Sequence, residues 1–121
     1  MEIPKGANAR IRMCYEVLQK VEEANRLRAD PPSTFVVMVR DSTCVWAMSQ
    51  MLRMAANKSY LANTIQEAQE LVFNHAKVKV HNARRANALH GVPLSAVFWD
   101  ADVRLGDYTK RKKEVRDAES V

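Results

Sequence analysis

Glycine and proline are scarce in this chain, with 3 and 4 residues among 121. Few sharp turns can be built from them, which argues for long elements, and helices in particular. None of the three glycines cluster, so no glycine-rich loop is available to cradle a phosphate. Cysteine is limited to Cys14 and Cys44, each inside an apolar stretch, and both read as buried thiols rather than halves of a disulfide. Neither lies near a histidine, and His75 and His81 fall on different faces of a helix, so closely spaced zinc ligands are missing. Cys14 sits on the apolar stripe of its own helix, which favours a core thiol over a nucleophile. No apolar run approaches the ~20 residues of a membrane span, and residues 1–5 lack the apolar core of a signal peptide. The expectation is a cytoplasmic protein that is not an enzyme, with no metal, no cofactor, no small-molecule substrate and no membrane partner.

Acidic residues are also in the minority, 14 against 19 lysines and arginines, for a net charge of +5 and a sequence pI near 9.5. That balance points to an acidic partner. The hydrophobic fraction of 47% excludes a wholly disordered chain. The length suits one domain with a modest core, which pairing with a second copy would enlarge.

The periodicity predicts an all-α fold. Residues 6–29 read as a helix, because Ala7, Ile11, Cys14, Leu18 and Val21 recur at spacings of three and four, and Asp30-Pro31-Pro32 stops it. Phe35, Met38, Val39, Val45, Trp46, Met48, Leu52 and Ala55 keep a helical period, so 33–56 reads as a second helix, with Ser33-Thr34 as its cap. The rival is a strand at 34–40 followed by a helix capped by Asp41 or Ser42, since Phe35-Val-Val-Met-Val39 is rich in β-branched residues. A long helix is predicted from Ser59 to about His90, with Leu61, Ile65, Ala68, Val72, Ala76, Val80 and Ala83 as its seam, Gly91 at its end and Pro93 beyond. Residues 94–105 read as a short fourth helix, and 107–121 as a charged tail, either a frayed helix or disordered. The resulting architecture is an antiparallel hairpin or bundle of three to four helices, completed as a dimeric four-helix-type bundle; the alternative is α+β, with strands near 34–40 and 94–99. Trp46 and Trp99 read as core anchors, and Asp100 and Asp102 as part of a solvated face.

One stretch stands apart. Residues 71–99 contain no Asp or Glu, yet hold Lys77, Lys79, Arg84, Arg85 and all three histidines. On a helix, Lys77, His81 and Arg84 fall within roughly 60° of one another, Asn74 and Ala88 extend the line, and Val72, Ala76, Val80 and Ala83 oppose it. The candidate binding residues are therefore Asn74, Lys77, Lys79, His81, Arg84, Arg85 and Asn87. A cationic row without acids suits a phosphate backbone, and double-stranded RNA is recognised by such shape and backbone contacts. The bland alternative is a solvated helix face, or a helical protein-binding adaptor or inhibitor with an acidic partner.

The run Lys77-Val-Lys79-Val80-His-Asn-Ala-Arg84, with Leu89 and then Pro93, resembles the nodavirus RNA-silencing suppressors, which are small double-stranded-RNA-binding proteins. The likeness is close only over residues 77–93. It implies a helical hairpin that dimerises and lies along an RNA duplex, with Lys77 and Arg84 at the RNA-contacting positions and Lys79 at a further basic one. Residues 1–30 have no counterpart in that pattern.

Overall fold

A computed structural model describes residues 1–67, 69–85, 91 and 93–103. The first helix, α1 (Ala9–Arg26), starts where Asn8 can cap it: the Asn8 Oδ1 accepts the Ile11 N–H at 2.9 Å. Cys14, Val17, Leu18, Val21 and Ala24 are buried along one side, as the stripe requires. The helix ends two residues before Arg28, which takes a left-handed backbone (φ 50°).

The remainder corrects the all-α expectation. β1 (Ser33–Val39) and α2 (Ser42–Lys58) replace the single helix expected over 33–56. Phe35 to Val39 are all buried, and β1 lies in the sheet between two other strands. A strand covered on both faces has a continuous apolar run, and that run imitates a helical period when read alone. Asp41 separates the two elements by capping α2, its carboxylate accepting the Thr43 N–H at 3.0 Å. Within the described part of 59–90, the expected long helix is replaced by β2 (Thr64–Gln66), β3 (Glu70–Val72) and β4 (Ala76–Asn82). Left-handed Tyr60 (φ 57°) and Glu67 (φ 54°) bracket the first of these and interrupt any helix there. β5 (Ala96–Trp99) occupies the place of the short fourth helix. Thus β1 and β5 fall on the two segments that the α+β alternative named. The segment 107–121 lies outside the described residues.

The strands form one mixed sheet in the order β2-β3-β4-β1-β5. β1 runs parallel to both β4 and β5, and the β2–β3–β4 meander is antiparallel. The main core lies between this sheet and the two helices, which also pack on each other; it joins Leu18, Val21, Val37, Met48, Leu52, Leu71, Val78 and Val80. The apolar stripe of α1 is thus buried against the chain's own sheet and α2. On the opposite face, Val36 and Met38 are fully buried beneath Leu94, Val97 and Trp99. Among the described residues no helix is long and apolar enough to cross a membrane.

Candidate nucleic-acid interface

β4 is hydrogen-bonded on both edges, parallel to β1 and antiparallel to β3. Its side chains alternate. Ala76, Val78 and Val80 enter the core, while Lys77, Lys79 and His81 emerge on the face away from the helices. Two residues of strand advance about 6.6 Å, so the three polar side chains form a row at a pitch close to that of successive phosphates on an extended nucleic-acid strand. The register places Thr34, Val36 and Met38 of β1 on one side of the row and Val72 and Glu70 of β3 on the other. Among the described residues Glu70 is the acid that faces it, with its Oε2 3.8 Å from the Lys79 Nζ.

Two hydrogen bonds shape the chain beyond β4. The Asn82 Oδ1 accepts the Arg84 N–H at 2.9 Å. His81 Nε2 donates to the Arg85 carbonyl at 2.8 Å, which assigns the proton to that nitrogen in the neutral ring. The turn puts Arg84 and Arg85 at the surface. Beside it opens a cavity of about 330 Å³, lined by Ser42, Val45 and Trp46 of the first turns of α2, Gln69 of the β2–β3 turn, and His81, Asn82 and Arg85. Trp46 is 66% exposed rather than a core anchor.

The candidate residues are thus partly brought together. Lys77, Lys79, His81 and Arg85 follow one another along β4 and its end, with Arg84 in the same turn. Asn74 is exposed in the β3–β4 turn, at the opposite end of the strand. Asn87 lies outside the described residues. The helix joining Lys77 to Arg84 in the suppressor resemblance is a strand and a turn here. Trp46, Gln69 and Asn82 were missed; the available signal was Asn82-Ala-Arg84, where a short amide side chain accepts the backbone N–H two residues on and favours a turn.

A second polar cluster sits at the carboxyl end of β5. Arg10, in the first turn of α1, donates through Nε to Asp100 Oδ1 at 3.0 Å and through Nη2 to Asp102 Oδ2 at 2.8 Å. Asp100 is buried, not solvated as expected. Its hydrogen bond raises the Arg10 pKa further, against a smaller effect of burial. Nearby, Arg40 pairs with Asp41 at 2.9 Å. The Thr43 hydroxyl, and then Arg40, pull the Asp41 carboxyl down to about 2. Burial pushes the Cys14 thiol up to about 11, which leaves little thiolate for nucleophilic work. Among the described residues no group of three or more His, Cys, Asp or Glu could hold a metal ion.

Comparison with protein-family models, with curated proteins and with solved structures finds no match to this chain.

Proposed function

We propose that this chain binds nucleic acid in the cytoplasm, gripping the phosphate backbone of a single strand along the outward face of β4. The observation that carries the reading is the row Lys77, Lys79 and His81, which runs on at its carboxyl end to Arg85. The row spans about 13 Å. Such a footprint suits a few phosphates of one strand better than the two successive grooves by which duplex RNA is read through shape. The duplex-binding and silencing-suppressor roles rested on a helical hairpin, and they lose that support here.

A salt titration with single-stranded RNA, its DNA equivalent and a short RNA duplex tests the proposal. With Lys77, Lys79 and Arg85 on phosphates, log K should fall with log salt at a slope of roughly −2 on a single strand. Replacing both Lys77 and Lys79 by alanine should flatten that slope by about 1.4. Failure to bind any of the three at about 50 mM salt overturns the proposal. Preference for the duplex would restore the shape-reading alternative and refute the single-strand form.

A further inference from the structure

The cavity at the carboxyl end of β4 differs from the rest of the row. Its wall includes an indole, and Trp46 leaves two thirds of its surface in solvent. Val45 adds an apolar patch beside it, and the remaining walls are hydrogen-bonding or cationic: Ser42, Gln69, Asn82, His81 and Arg85. His81 belongs both to this cavity and to the backbone-facing row.

We propose that this cavity is a subsite for one unpaired base, which stacks on Trp46 while Arg85 holds the adjoining phosphate. The assignment rests on the nucleic-acid reading above and adds its ligand class: a nucleotide unit rather than a bare polyanion. The physics favours it on three counts. An aromatic ring beside a guanidinium offers a base both a stacking surface and a partner for its phosphate. The volume of about 330 Å³ lies within the range of small-ligand sites. The local backbone is also held in place before any ligand arrives, by the bonds from His81 to the Arg85 carbonyl and from the Arg84 N–H to Asn82. Gln69 and Asn82 present amides that can meet the edge of any base, so the subsite accepts bases broadly.

The test compares a short single-stranded oligonucleotide with an abasic strand of the same length and charge, using the full chain and its Trp46→Ala and Trp46→Phe variants. One lost base stack should weaken binding roughly 5- to 150-fold. The abasic strand should show that loss on the unaltered chain, Trp46→Ala should show it on the intact strand, and Trp46→Phe should recover most of it. Fluorescence gives a second readout. Quenching by the intact strand should vanish in Trp46→Phe, where the indole of Trp99 is the one remaining. If base-bearing and abasic strands bind equally and Trp46→Ala is silent, the subsite is overturned while backbone binding stands. If neither strand binds, the nucleic-acid reading itself fails, and the subsite with it.

Discussion

Glu70 offers the most discriminating perturbation, because its removal should improve the proposed activity. Its carboxylate lies 3.8 Å from the Lys79 ammonium on the face where phosphates would sit. At that distance the attraction is about 1 kcal/mol in bulk water and about 4 kcal/mol at an effective dielectric of 20. The pair is partly solvated, with side-chain exposures of 36% and 18%, and lies near the distance limit for an ion pair. Its net worth to stability is therefore about 0.2–1 kcal/mol. A phosphate docked on the far side of Lys79 would stand on the order of 6 Å from Glu70, where repulsion is about 0.7 kcal/mol in water and more beside the protein. Glu70→Gln should accordingly bind a single strand roughly three- to tenfold more tightly at low salt. It should also steepen the salt slope by up to about 0.7 as Lys79 gains a full counterion. The gain should disappear near 1 M salt, where the screening length is about 3 Å. The melting temperature should fall by no more than a few degrees. A Glu70→Gln protein that binds no better than the parent at low salt refutes the placement of phosphates along β4. A gain that survives 1 M salt would refute its electrostatic origin.

Among the described residues, Arg10→Ala leaves the buried Asp100 carboxylate with the Ala101 N–H as its remaining partner. The cost should be about 1–3 kcal/mol in urea unfolding, since one lost partner is charged but two fifths exposed. A double-mutant cycle with Asp100→Asn should return a coupling above about 0.5 kcal/mol, and a coupling near zero would contradict the drawn geometry. Asp41 titrates lower in the folded chain than when unfolded, so its contribution is complete above about pH 4 and fades as pH falls towards 2. Unfolding curves of the parent and Asp41→Asn should therefore converge across that window, and a constant gap would show that the cap acts without its charge.

The sequence was informative about burial and misleading about conformation. The α1 stripe was legible because a clean three-four period ran up to the stop at Asp30-Pro31-Pro32; the cap at Asn8 went unread, and the helix Ala9–Arg26 is shorter at both ends than the expected 6–29. Ala76, Val80 and Ala83 were expected to pack, and they do, but two of them through a strand. The decisive signal was Ala76-Lys-Val-Lys-Val80, whose strict alternation over five residues outweighs the sparser helical seam drawn through Ile65 and Val72. The scarcity of glycine concealed the turns, since Tyr60 and Glu67 adopt left-handed backbones without it. The Arg10–Asp100 pair joins residues from opposite ends of the described chain, and local spacing carries no trace of it. Trp46 looked like core because its helical neighbours are apolar; that α2 starts at Ser42 and turns the indole outwards depends on where β1 ends.

The position of β1 has a consequence for how the chain reaches this arrangement. β1 is made early, yet its partners are residues 76–82 on one side and 96–99 on the other. During synthesis the segment Phe35-Val-Val-Met-Val39 must therefore wait, sticky and unpaired, until most of the domain has left the ribosome. Sequence-distant parallel pairing of this kind closes slowly. Truncation before Ala96 would leave one side of this strand permanently bare, a template for aggregation rather than a smaller working domain.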